Sequence, residues 1–240
     1  MTKSNSWSYS KLIVFEKCPY QYRLRHIDGV PEEKHEAADR GTAIHQMAED
    51  FVSGKIKSLP TELIKFDDDF LALRARFKEK RVSLEESWGF GRDWMPAEYK
   101  TAWLRMKADA VVFDSPKNPT EAIVVDYKTG KKWGNEIKHG EQVQLYALAT
   151  AIRNPTVKKI TVELWYLDKD DLTRQDYSRE HAIAFCKPFN SRAGRMDRAH
   201  EDDRFPPNPN AFSCQWCPYG PNKGKQCPHG VRGDGTSGMS

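Results

Sequence analysis

Apolar side chains at Ile44, Met47, Ala48 and Phe51 follow the i, i+3, i+4, i+7 spacing of a helix with one buried face, which predicts a helix over residues 37–51. Leu12, Phe15 and Tyr22 support helical structure over residues 7–26, opened by Ser8 or Ser10 and restarted at Pro19, with Cys18 at the break. Leu63, Phe66, Phe70, Leu73 and Phe77 stand among alternating acidic and basic clusters, so residues 55–95 read as a helical insertion covering a sheet. The pattern then changes. Residues 97–113 read as one or two strands, residues 114–120 as a turn, and residues 121–128 as a strand that folds back as a hairpin. Ile137, Leu145, Leu148, Ala149 and Ile152 predict a helix over 136–153, and the β-branched and aromatic run 157–167 predicts another strand. A short strand at 175–183, a basic helix at 189–199 and a proline-rich stretch at 205–210 complete the pattern, while the small, polar residues 230–240 read as a disordered tail.

These elements predict an α/β fold in which helices flank a mixed central sheet, with a helical N-terminal region and a cysteine-rich closing segment at 205–229. A chain of 240 residues suffices for one sizeable core, so residues 1–229 are expected to form one domain. The formal net charge of +4 suits a polyanionic partner without requiring one. No apolar run approaches the roughly 20 residues of a membrane-spanning helix, so no membrane partner is expected, and the expected location is the cytoplasm. Nothing in the sequence names a protein partner.

Asp126 and Lys128 close the run Val124-Val125-Asp126-Tyr127-Lys128, and strand alternation puts both on one face. A carboxylate beside a fixed positive charge is the start of a metal-assisted hydrolytic site, although a strand-end ion pair has the same pattern. Asp109 lies in Ala108-Asp109-Ala110-Val111-Val112, where a charge is costly unless paired or bound to metal, and the hairpin can bring it to Asp126. Two approaching carboxylates disfavour each other's ionisation, and a divalent cation removes the conflict; oxygen ligands favour Mg2+ or Mn2+. His45 can add an imidazole ligand, with Glu49 one turn on as its orienting partner or as a solvated acid. Gln142 and Tyr146, four apart on the helix after this strand, share a face.

In order, Ser8-Tyr9-Ser10-Lys11-Leu12, Cys18-Pro19-Tyr20, Gly41-Thr42-Ala43-Ile44-His45, Asp109, Asp126-Tyr127-Lys128-Thr129-Gly130, Gln142-Val143-Gln144-Leu145-Tyr146 and Cys214-x2-Cys217 span nearly the whole chain. This series resembles the RecB-like branch of the PD-(D/E)XK nucleases, including CRISPR-associated RecB-like exonucleases and the AddB nuclease domain. The resemblance implies a restriction-endonuclease-like core and hydrolysis of DNA, with exonuclease action on single-stranded ends in recombination, repair or phage DNA processing. It implies that His45, Asp109, Asp126 and the backbone carbonyl of Tyr127 hold the catalytic metal, that Lys128 orients the attacking water, and that Gln142 and Tyr146 close the site. A departure is the run Arg105-Met106-Lys107-Ala108 before Asp109, where the family often has a glycine. The competing class is a catalytically silent nucleic-acid-binding module. Ser10, Lys11, Lys131, Lys132, Arg192 and Arg195 are candidate DNA contacts, the arginines equally a solvated charged face.

Five cysteines in a reducing compartment argue for metal or cluster ligation over disulfides. Cys214, Cys217 and Cys227 sit in proline-containing loops, with Cys18 as the fourth thiol, and Cys186 reads as a small hydrophobe. The resemblance implies that Cys18, Cys214, Cys217 and Cys227 hold a [4Fe-4S] cluster; structural Zn2+ on the same thiolates is the alternative.

Overall fold

The computed structural model describes residues 6–32, 36–130, 132 and 134–232. The chain forms two compact units, one built on Glu36–Phe189 and the other on Trp7–His35 together with Asn190–Ser240. Most of the expected tail, residues 233–240, lies outside the described residues.

The first unit contains α3 (Glu36–Ser53), a 3-10 turn (Thr61–Phe66), α4 (Asp67–Lys78), β1 (Val82–Phe90), β2 (Pro96–Ala97), β3 (Leu104–Phe113), β4 (Glu121–Lys128), α5 (Glu136–Arg153), β5 (Lys159–Tyr166), β6 (Asp171–Ser178) and α6 (Arg179–Ala184). Among the described residues these strands make one six-stranded sheet in the order β2-β1-β3-β4-β5-β6. β3 and β4 pair as the expected antiparallel hairpin, whereas β4 and β5 are parallel and are joined by α5, as parallel strands need a crossover. The architecture is therefore a mixed sheet with flanking helices, as the sequence pattern implies.

One face of the sheet packs against α3 and α4, where Ile44, Phe51, Phe70 and Leu73 meet Ala110, Val112, Val125, Tyr127 and Trp165. The alternate residues of β4, Val124 and Asp126, project to the opposite side, and α5 packs on β4 and β5. Strand alternation thus delivers Asp126 to the α5 face and Tyr127 to the α3 face. Phe70 is fully buried, with its ring 5.3 Å from those of Tyr127 and Trp165. Phe70→Ala is expected to cost about 3–5 kcal/mol, the usual penalty for emptying a buried aromatic site, read as a lowered urea midpoint.

The expected helical insertion over 55–95 needs correction. Its apolar positions 63–77 are helical, but Val82–Phe90 is β1, a strand paired along nearly all of β3. The polar stretch Ser83-Leu84-Glu85-Glu86-Ser87 lacks the β-rich composition of a strand, and pairing with β3 overrides local propensity. The strand expected at 175–183 starts earlier: β6 pairs with β5 from Asp171, and Ser178 ends it by accepting the amide of His181 as the N-cap of α6.

The second unit holds α1 (Tyr9–Lys17), α2 (Pro19–His26), the greater part of α7 (Cys186–Glu201) and α8 (Ala211–Gln215). Ser8 caps α1, and Cys18 adopts an extended conformation before Pro19, which opens α2 where its missing N–H costs nothing. The break therefore takes the Cys18 thiol out of helical register. Pairing of Arg192 and Arg195 with Glu16 and a hydrogen bond between the Tyr22 hydroxyl and His200 Nε2 tie the two sequence segments of this unit together.

Candidate metal-dependent active site and thiol pocket

The site of the first unit forms where β3 stops pairing normally with both neighbours. On one side the β1–β3 register passes from Leu84↔Ala110 to Glu86↔Ala108, leaving Glu85 and Asp109 without a ladder pair. On the other side β3–β4 pairing ends at Ala110↔Val125, just before Asp109 would meet Asp126. Glu85 has φ +51°, a strained backbone for a non-glycine residue. In place of the missing ladder bond, Asp109 Oδ2 accepts the Tyr127 amide at 2.6 Å, while its Oδ1 lies 3.0 Å from His45 Nδ1. A carboxylate is thus inserted between two parting strands.

His45, Glu85 and Asp109 place one ligand atom each within 4.8 Å of one another and line an open cleft with Gly41, Lys107 and Thr129. Gly41 permits this approach, since a Cβ there would stand 3.1 Å from Thr129 Oγ1. The cleft is bounded above by a clamp: Asp168 accepts the Gly130 amide at 2.7 Å and takes Arg40 in a two-pronged ion pair.

Asp126 is 5% exposed and sits in a network contributed by α5. Its Oδ1 lies 2.8 Å from the Tyr146 hydroxyl and accepts from Gln142 Nε2 at 3.3 Å. Gln142 Oε1 in turn accepts from Lys128 Nζ at 2.8 Å, which fixes the amide's orientation. Lys128 Nζ also stands 2.6 Å from Asp126 Oδ2, but off the direction of a hydrogen bond, so this buried oxygen has no donor. An orphaned carboxylate oxygen of this kind is suited to a cation.

Electrostatics point the same way. Burial raises the pKa of Asp109, and the charge of Asp126 adds to it, against the opposing effects of His45 and the Tyr127 amide. Burial works against a charged His45, yet the hydrogen bond and charge of Asp109, with Asp126 and Glu85, outweigh it and raise the His45 pKa. Tyr146 is pushed well above its ordinary value by burial and by Asp126 and Asp109, so it stays protonated and able to donate. Asp109, Asp126 and Glu85 here face His45, Lys128 and Lys107, and a divalent cation that takes the place of the His45 proton fits the donor set of His45, Glu85 and Asp109.

Of the residues singled out in the sequence, His45 and Asp109 touch, and Asp126, Lys128, Gln142 and Tyr146 form one network. Sequence reasoning misses Glu85 and Lys107, which form an ion pair at the cleft, and the Arg40–Asp168 clamp. Glu85 sits in a polar stretch with no motif, and only its register opposite Asp109 marks it. Several of the expected nucleic-acid contacts have partners within the chain. Lys132 pairs with Asp171 at 2.6 Å, and Glu16 takes up Arg192 and Arg195. Ser10 is bonded to Ser8, and Lys11 lies on α1 of the second unit; Lys131 falls outside the described residues.

In the second unit Cys18, Cys214, Cys217 and Cys227 line one pocket together with Asn208 and His229. The Asn208 amide donates to Cys18 Sγ at 3.4 Å. Burial raises the pKa of Cys217, with Cys227 and Cys18 adding to it, and raises that of Cys227, with Cys18 and Cys214 adding. Gly220 is required at this turn, because a Cβ would overlap the Cys214 carbonyl oxygen. Cys186 belongs to the first unit and does not line the pocket.

The crystal structure of SSO0001 is similar at a TM-score of 0.41 and 15% identity, covering 95% of this chain and 88% of that one. A structure from Eubacterium rectale, provisionally named an exonuclease, reaches a TM-score of 0.53 at 12% identity, covering 89% of this chain and 86% of that one; it shares the fold. No curated protein matches the chain. The model of the PD-(D/E)XK nuclease superfamily matches residues 6–221, so that the parted strands, the Asp126–Lys128 pair and the mixed sheet have a common account: the chain belongs to the PD-(D/E)XK nuclease superfamily.

Proposed function

We propose that this nuclease is a metal-dependent deoxyribonuclease of the RecB-like branch, acting as an exonuclease on single-stranded DNA ends. The observation that carries the reading is the meeting of His45, Glu85 and Asp109 beside the Asp126–Lys128 pair at one break in the sheet. His45, Asp109 and Glu85 would hold Mg2+ or Mn2+, with Asp126 and the Tyr127 carbonyl as the further ligands that the family resemblance implies. When bound, such a cation supplies Lewis-acid stabilisation of the phosphate and lowers the pKa of water. Lys128 carries a positive charge to the developing phosphorane oxygens and orients the attacking water. Gln142 sets the position of Lys128, and Tyr146 holds Asp126 by a hydrogen bond that keeps its carboxylate in place. The provisional name of the Eubacterium rectale protein accords with exonuclease action, as does the motif order along this chain.

We further propose that Cys18, Cys214, Cys217 and Cys227 bind a [4Fe-4S] cluster. Their common pocket and the motif order along the chain support this reading, and structural Zn2+ on the same thiolates is the alternative that metal analysis separates.

End-labelled single-stranded DNA should be degraded in Mn2+ or Mg2+ and remain intact in EDTA; inactivity across both metals and several DNA forms would overturn the enzyme reading. Glu85→Gln is expected to weaken Mn2+ binding about ten-fold or more by titration calorimetry, since even groups that only support a ligand are worth that much. Unchanged affinity would remove Glu85 from the ligand set.

A further inference from the structure

The segment 204–232 contains Arg204, Lys223, Lys225 and Arg232 and no Asp or Glu. In the middle of it, α8 and its C-cap residue present the most exposed aromatic side chains among the large hydrophobics described, Phe212 at 76% and Trp216 at 64% exposure. They are four residues apart, so a helical turn sets them on one face about 6 Å apart at Cβ. Leaving two large rings in water is unfavourable, and the basic charge of the segment suits an anionic partner. Exposed π-faces in a segment of basic sequence are complementary to a flexible polyanion carrying flat apolar groups. Single-stranded nucleic acid has that chemistry: its phosphates meet Lys and Arg, and its unpaired bases stack on aromatic rings without regard to sequence. A duplex hides its base faces and offers only the phosphates.

We propose that Phe212 and Trp216 form a stacking platform for two unpaired bases of a single strand, with Lys225 and Arg232, both exposed, contacting its phosphates. The platform rests on the nuclease reading for its substrate class and adds to it a binding site distinct from His45, Glu85, Asp109 and Asp126, with Trp216 standing between Cys214 and Cys217. Asn210 caps α8 by accepting the Ser213 amide at 2.7 Å, which holds the short helix that carries Phe212 and ends at Trp216.

The test is fluorescence anisotropy of a labelled oligothymidine with the full-length protein in EDTA, where cleavage lacks its cation. Phe212→Ala and Trp216→Ala should each weaken binding about ten-fold and the double variant about a hundred-fold, while Trp216→Tyr retains most of the affinity. Lys225→Ala should lower the salt slope by roughly 0.7, one phosphate contact on a single strand. A blunt duplex should lose little affinity in the double variant. Wild-type affinity of the double variant for oligothymidine would overturn the platform, as would an equal loss for duplex. So would loss of self-association in place of strand binding, which would mark a face for a second copy. A double variant that binds normally beside a wild type that cleaves sinks only the platform; a wild type that neither binds nor cleaves sinks the nuclease reading with it.

Discussion

Asp126→Asn should lower metal-dependent cleavage about a thousand-fold or more while leaving the fold intact. The side chain is buried, and its Oδ1 bonds to Tyr146 and Gln142 can be kept by an amide oxygen of the same shape. What changes is Oδ2: an amide nitrogen there would turn two hydrogens toward the Lys128 ammonium 2.6 Å away and could offer no lone pair to a cation. One substitution therefore removes a negative charge and displaces the lysine, and single groups that stabilise transition-state charge are commonly worth a hundred- to a thousand-fold each. Cleavage rates on an end-labelled strand, together with the far-ultraviolet circular dichroism and the thermal midpoint, separate the two effects. Activity within ten-fold of wild type in Asp126→Asn would show that the carboxylate is a structural ion-pair partner and no more.

If the four thiols hold the proposed cluster, Cys18→Ala should release it and lower the thermal midpoint by on the order of 10 °C. The thiol stands at the break between α1 and α2 and shares its pocket with Cys214, Cys217 and Cys227, which lie almost two hundred residues away in sequence. A metal group held there closes a very long loop, and the binding free energy of a structural metal, about 10 kcal/mol or more in small domains, is folding free energy. Only part of that needs to be lost for a shift of this size, at about 2–4 °C per kcal/mol in a chain of this length. Iron, sulfide and zinc analysis of protein purified without oxygen is the direct measurement. Cys186→Ala serves as the control and should retain all of the metal, since Cys186 does not line the pocket. Equal metal content in Cys18→Ala and wild type would exclude Cys18 as a ligand.

Much of this protein is legible before any coordinates. β4 and α5 run over the residues that their apolar and aromatic positions mark, because a strand buried on both faces and a long amphipathic helix carry strong local patterns. Alternation along β4 is likewise a local property, so the shared face of Asp126 and Lys128 follows from spacing alone. The Cys18-Pro19 break is equally local, since proline determines both its own φ and the extended conformation of the residue before it.

The tertiary structure decided what depends on residues distant in sequence. β1 is a strand only because β3 lies beside it, and Glu85 becomes a candidate ligand only because the register sets it opposite Asp109. Likewise Arg192 and Arg195 share Glu16 and Lys132 pairs with Asp171, partners that no helical or strand period indicates. Local periodicity reports which face a side chain takes; which partner it meets there is set by chain crossing and register, and metal sites and ion pairs are made of such partners.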